Sequence, residues 1–195
     1  MSMTFNLASK SNGITFVVAC GPTDTVSNTR EQKDVFWADL ERAVSRVPSS
    51  DYLFVLIDAN ARTGVRMGEE EDWNIIGAYG RDTRVSDSNG TSLLRFAGDN
   101  TLALVNTFFS VPKGCTSRTF NGTRLADRKR IDHIITRQPH RKLVRNVTVP
   151  LQPRADSDHN IVCARVRIPG RFARIRKKRA PTGRKSIDRR AITSD

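Results

Sequence analysis

The sequence predicts an α/β sandwich, a core of strands with a few helices packed outside it. Three observations carry that expectation. Short runs of β-branched and aromatic residues recur along the chain, as in ITFVVAC (14–20) and YLFVLI (52–57). Between those two runs lies a segment with apolar residues at helical spacing, so strand, helix and strand alternate early. Later strand-like runs follow one another over short connections, which favours antiparallel pairing there.

The elements follow in chain order. ITFVVAC closes on Gly21-Pro22 and reads as a buried strand. Thr29 with Gln32 makes a capping-box pair, and Val35, Phe36, Leu40, Ala43, Val44 and Val47 then recur at helical spacing until Pro48 stops the run. Tyr52 to Ile57 are all apolar or aromatic, yet the run finishes directly on Asp58 and Asn60. A long polar loop occupies 61–90, with Gly64, Gly68, Gly77, Gly80 and Gly90. SLLRFAGDN (92–100) reads as a short helix and TLALVNTFF (101–109) as another buried strand. Gly114 to Gly122 suggests a hairpin, followed by strands RIDHIIT (130–136), KLVRNVTV (142–149) and NIVCARVRI (160–168). The last two alternate apolar and polar residues, so one face of each should meet solvent or a helix. From Pro169 the chain is basic and poor in apolar residues, which predicts a disordered tail. The expected organisation is one domain over 1–168 and a basic tail over 169–195.

Composition bounds the function. A chain of 195 residues with 37% hydrophobic and 27% charged residues reads as a single soluble globular domain. No apolar run approaches the roughly 18 residues of a membrane span. MSMTFNLASK has no apolar core of a signal peptide, so the expected home is nuclear or cytoplasmic and not secreted. Cys20, Cys115 and Cys163 lie far apart without C-x-x-C spacing, which argues against a disulfide framework and a structural zinc site. Asn89, Asn121 and Asn146 head N-x-[ST] triplets that read as chance. The net charge is +13, and from Arg165 onward 12 Lys and Arg face 2 acids, leaving 21 basic and 18 acidic residues before it. The tail therefore carries most of the excess, and its natural partner is the phosphate backbone of a nucleic acid.

Three strands carry acids or amides at their ends: FVLIDAN (Asp58, Asn60), RIDHII (Asp132) and SDHNIV (Asp158, His159, Asn160). Any one of them alone reads best as an Asx turn or a cap. Together they describe a chemistry. Carboxylates that converge at one end of a sheet can hold Mg²⁺, which takes oxygen ligands and keeps several waters. A histidine oriented by a second carboxylate can shuttle a proton or stabilise phosphoryl oxygens. An asparagine can position a nucleophile or a phosphate without adding charge.

D-x-N after a strand, then R-I-D-x-I, then S-D-H-N-I-V resembles the endonuclease/exonuclease/phosphatase superfamily. Within it the pattern is similar to the endonuclease domain of non-LTR (LINE-type) retrotransposons, including craniofacial-development-protein-like chains. A basic loop (Arg124, Arg128, Lys129, Arg130) before the Asp132 strand adds to the likeness, which runs from about Ile14 to Ile168. The resemblance implies a four-layer αββα sandwich of mixed, largely antiparallel sheets and a metal-dependent phosphodiesterase acting on DNA. Asp58 would orient or deprotonate the attacking water, and Asn60 would hold that water and the phosphate. Asp158 would help bind Mg²⁺ (or Mn²⁺), His159 would contact the scissile phosphate, and Asp132 would orient His159.

The chain also departs from the family pattern. The family places a strand ending in Asn, and then a metal-binding Glu, ahead of the region matched here. The expectation is a partial sandwich lacking the first strands, with impaired catalysis. Cys20 stands where the family has a tyrosine, and Ser117 stands where a tryptophan is common. Glu69, Glu70 and Glu71 read as a solvated loop run rather than a substitute ligand. The alternatives to a nuclease are a non-catalytic nucleic-acid-binding remnant and a chain too incomplete to fold stably.

Overall fold

Strand β3 (Tyr52–Asp58) sets the architecture, because it is covered on both faces. Leu53, Val55 and Ile57 pack to one side, and Phe54 and Leu56 to the other. A strand covered on both faces reads as an unbroken apolar run rather than an alternating one, which is why residues 52–57 carry no polar break. The structure is a computed structural model that describes residues 2–7, 13–25, 27–64, 74–80, 86–124, 128–151 and 157–169.

β3 is the middle of a five-stranded sheet ordered β1-β2-β3-β5-β4, where β1 is Ser2–Leu7, β2 Ile14–Cys20, β4 Leu102–Leu104 and β5 Asp132–Arg137. β2 and β3 run parallel, and the other pairs are antiparallel. β1 was not expected from the sequence. SMTFNL is too weakly patterned to mark a strand alone, and its full-length ladder with β2 is what makes it one.

Helix α1 (Arg30–Ser45) connects β2 to β3 and begins at the anticipated capping box. Thr29 Oγ1 accepts from the Gln32 N–H at 3.3 Å, and Gln32 Oε1 accepts from the Thr29 N–H at 2.9 Å. Trp37, Leu40 and Val44 face Val17, Val55 and Ile135 of the sheet. Helix α2 (Ser88–Asp99) starts earlier than the apolar pattern suggests, because Asp87 caps it by accepting from the Gly90 N–H at 2.7 Å. The same carboxylate accepts from the Arg62 N–H at 3.0 and 3.1 Å, pinning the loop after β3. Gly90 permits this contact, since a Cβ there would overlap the Arg62 carbonyl oxygen.

Three expected elements take another form. In TLALVNTFF only Leu102–Leu104 is strand, and the chain then tightens into a 3-10 turn at Val105–Thr107. Residues 114–122 do not form a hairpin. Cys115 bridges Pro150, and Phe120 bridges both Lys129 and His159, so this segment's backbone groups pair with distant segments instead of one another. The strands expected at 130–136 and 142–149 do not pair despite their short connection. The 3-10 stretch Gln138–Leu143, with its early proline, carries the chain across to a second sheet, where β6 (Val144–Thr148) pairs antiparallel with β7 (Cys163–Val166). Ile14, Phe54, Ile134, Val144 and Val147 fill the space between the sheets. The described residues thus supply three of the four expected layers: helices, large sheet and small sheet. Glu69 to Glu71 and nearly all of the basic tail lie outside the described residues. No helix among those described is long and apolar enough to cross a membrane.

Candidate active site

The site grows from a row of side chains across three neighbouring strands. Cys20 ends β2 opposite Asp58, which ends β3, and Asp58 lies opposite Asp132, which begins β5. Residues in register share a face, so all three project on the side of Phe54 and Leu56, towards the small sheet. The Cys20 sulfur lies 3.9 Å from Asp58 Oδ2.

His159 reaches this row on a loop built for the purpose. The Asn121 N–H donates to the Asp158 carbonyl at 2.8 Å, and the Asn160 N–H donates to Thr119 at 2.7 Å, so residues 119–121 and 158–160 form a short ladder. Asn160 is clamped further, accepting from the Asn121 amide at 2.8 Å and donating to the Arg118 carbonyl at 2.9 Å. The Thr119 hydroxyl accepts from the Ile131 and Asp132 N–H groups, both at 3.0 Å, which fixes the start of β5 against the same ladder. His159 Nδ1 then lies 3.0 and 3.2 Å from the two Asp132 carboxylate oxygens. The Phe120 ring meets the imidazole edge-on at 5.3 Å. With Nδ1 engaged by Asp132, Nε2 is the nitrogen left for other chemistry.

Asp58, Asp132 and His159 bring ligand atoms within 4.8 Å of one another, a donor set able to hold a metal ion. Burial, opposed by hydrogen bonds from Thr119 and His159, raises the Asp132 carboxyl above its ordinary value, and the neighbouring Asp58 adds to the rise. Burial is also the chief cause that raises the Cys20 thiol, followed by Asp58. His133, next along β5, faces the helices instead. It is fully enclosed, and desolvation together with Arg130 lowers it to about 3, so it stays neutral.

The other two expected residues are placed differently. Asn60 adopts a left-handed backbone, φ 45°, which asparagine tolerates. Its N–H donates to Asp58 Oδ1 at 3.0 Å and its side-chain amide to the Gly21 carbonyl at 3.0 Å, so it braces the turn beside Asp58. Asp158 neighbours His159 in sequence but is exposed, and its carboxylate is not one of the three clustered groups.

The sequence reading passed over Asn89, taking it for a chance glycosylation triplet. Asn89 is buried in the first turn of α2 and donates to the Pro22 carbonyl at 2.7 Å and the Asn60 carbonyl at 3.1 Å, tying together the loops that follow β2 and β3. Its position two residues after the Asp87 cap, in the first turn of α2, was the available signal. The basic loop is near the site through Lys129, which lies over the Phe120 ring at 5.7 Å, while Arg130 donates to the Ser117 and Tyr79 carbonyls. A cavity of about 260 Å³ opens beside the row, lined by Val18, Leu56, Asp58, Asp132, Asn160 and Val162 among others.

No family model matches the chain. Over 137 residues it is 32% identical to craniofacial development protein 2 of Bos taurus and of Tragulus javanicus, a match covering 68% of this chain. It spans only 21% and 22% of those relatives' lengths. Among solved structures it is similar to the endonuclease domain of TRAS1, a telomere-specific non-LTR retrotransposon. There the TM-score is 0.57 at 17% identity, over 87% of this chain and 64% of that one. It is also similar to the 3'-5' exonuclease NExo of Neisseria meningitidis, with TM-score 0.53 at 17% identity, over 82% of this chain and 62% of that one. A mixed sheet carrying an Asp–Asp–His cluster at one end, together with these likenesses, identifies the chain as having the endonuclease/exonuclease/phosphatase fold.

Proposed function

We propose that this chain is a divalent-cation-dependent phosphodiesterase domain of non-LTR retrotransposon type that cuts nucleic acid, DNA first among substrates. The observation that carries the reading is the His159–Asp132 pair at 3.0 Å in one cluster with Asp58. His159 contacts the scissile phosphate, where a positioned imidazole stabilises developing charge or moves a proton. Asp132 holds its tautomer and orientation through Nδ1. Asp58 orients and deprotonates the attacking water. Asn60, braced against Gly21, holds water and phosphate beside it.

The donor chemistry fits a hard cation through the two carboxylates, Asp58 and Asp132, that converge beside His159. Asp58 and Asp132 are the residues that would hold Mg²⁺ or Mn²⁺, while Asp158, expected from the sequence as a metal ligand, lies outside the cluster. A bound divalent ion supplies charge neutralisation at the phosphate and leaving-group oxygens. Because Mg²⁺ needs near-octahedral oxygen coordination, the two carboxylates clustered among the described residues bind it weakly by themselves, and slow cutting is expected. The basic loop and the +10 carried from Arg165 onward engage phosphates along the strand.

The test is nicking of supercoiled plasmid by the full chain with Mg²⁺ or Mn²⁺, alongside His159→Ala and Asp58→Ala. Metal-dependent nicking lost in both variants supports the reading. Nicking that survives both variants sinks it. DNA binding without cleavage under either metal would leave a binding module in place of an enzyme.

A further inference from the structure

The ladder between β4 and β5 stops at Leu104, opposite Ile135, so β4 does not reach Asp132 at the start of β5. Other groups meet the Asp132 backbone instead. Its N–H donates to the Thr119 hydroxyl at 3.0 Å, and its carbonyl accepts from the Asn106 side-chain amide at 3.0 Å. On the β3 side the Ala59 N–H donates to the preceding carbonyl, that of Ile131, at 2.8 Å. Asn106 thus stands in for the strand that β4 no longer supplies. Its setting is otherwise apolar on the chain's near side. Leu102 to Val105 are all fully buried, and Asn106, in the turn that follows them, is itself buried. Its Oδ1 has no hydrogen-bond partner among the described residues. A half-satisfied amide in a packed interior is costly, and packing alone would not place one there. The bond it does make accounts for it.

We propose that Asn106 is a positioning residue: its amide fixes the Asp132 peptide, and through that peptide the carboxylate against His159 Nδ1. The Asp132 oxygens lie 3.0 and 3.2 Å from Nδ1, and a hydrogen bond weakens steeply as distance and angle drift. A carboxylate held there keeps the proton of the neutral imidazole on Nδ1 and leaves Nε2 free. When the Asp132 peptide is loosened, the proton redistributes to Nε2, the nitrogen assigned to the phosphate. The consequence for turnover rests on the phosphodiesterase reading. The consequence for the imidazole does not.

The experiment reads the tautomer of His159, one of three histidines, in long-range proton–nitrogen spectra of the full chain at a pH where the ring is neutral. His159→Ala assigns the signals. The unaltered chain should show the Nδ1–H form in excess, and Asn106→Ala and Asn106→Leu should each shift the ring towards Nε2–H. Thr136→Val is the control. Thr136 is fully buried and donates to the Leu53 carbonyl at 2.7 Å farther along β5, so its loss should lower stability and leave the tautomer as in the parent. In plasmid nicking Asn106→Ala should lower kcat on the order of 10²-fold with KM nearly unchanged. A parent already in the Nε2–H form, a tautomer unmoved in either folded Asn106 variant, or an equal shift in Thr136→Val would each overturn the proposal. A tautomer shift in a chain that never nicks would support the role of Asn106 and sink the phosphodiesterase reading alone.

Discussion

Asp51 stands just before β3 and Asp58 ends it, so one strand carries an aspartate at each end. At the first end everything is satisfied. Asp51 is buried, accepts from the Gly13 N–H at 2.9 Å and the Thr15 hydroxyl at 3.0 Å, and gives its own carbonyl to Arg137 at 2.7 Å. The same guanidinium donates to the Val47 and Pro48 carbonyls, closing the end of α1 onto the sheet. At the other end Asp58 is only half-buried, accepts from the Asn60 N–H, and faces a second carboxylate across the ladder. The lesson is that residue type does not separate a structural aspartate from one proposed to take part in chemistry. What separates them is whether the surroundings saturate the carboxylate or crowd it with other ionisable groups.

Breaking the end at Asp58, where the proposed site lies, should have the largest effect, and on activity alone. His159→Ala is expected to lower plasmid nicking on the order of 10³-fold, about 4 kcal/mol of transition-state stabilisation, with the melting temperature nearly unchanged. A large drop in melting temperature would show that this end is structural as well. Asp51→Ala reverses the pattern. It leaves the Gly13 N–H and Thr15 hydroxyl without their acceptor, which should cost about 3 kcal/mol in urea unfolding. Activity per folded molecule should hold, and a selective loss of nicking would erase the contrast between the two ends.

β5 offers a finer comparison, because Asp132 and His133 are neighbours on opposite faces. His133 is held neutral, with its pKa near 3 in the fold against an ordinary value of 6.5. A depressed histidine contributes stability that is whole above 6.5 and drains as the pH falls towards 3, at about 1.4 kcal/mol per pH unit. Urea midpoints should therefore fall between pH 7 and pH 5 by the equivalent of about 2 kcal/mol, and His133→Leu should flatten that slope. An equal slope in the variant would place the sensitivity elsewhere.

Asp132 has the opposite sign and the smallest expected effect. Its raised carboxyl binds a proton more tightly in the fold than in the open chain, so its contribution to stability is lost as the pH rises through its folded pKa. Asp132→Asn should be the more stable chain at neutral pH, with the advantage fading in acid, while nicking drops because a neutral amide replaces the carboxylate charge that faces His159 Nδ1. A variant less stable than the parent at pH 7 would mean that the hydrogen bonds of Asp132 outweigh its burial.

Much of the fold was legible in the sequence. β2, α1 and β3 are local patterns, and the Thr29–Gln32 capping box is complete within four residues. The order D-x-N, R-I-D, S-D-H likewise pointed to the strand ends that the structure gathers. The errors share one cause. β1 exists through its partner, residues 114–122 pair with remote segments, and β6 leaves the sheet of β5 for that of β7. In each case a backbone group had several possible partners, and the choice depended on residues far along the chain.

The sequence alone determined the residue types, the periodicities and the caps, because these act over a few residues. Tertiary structure decided which of the five expected residues meet. Register across β3 and β5 sets Asp58 beside Asp132, and the ladder of 119–121 with 158–160 delivers His159 to them while leaving Asp158 exposed. It also decided what no motif announced, that Cys20 stands in the same row and that Asn89 ties its loops together. The physical reason is that side chains at strand ends become neighbours only through strand pairing, and pairing is fixed by the burial of both sheet faces at once.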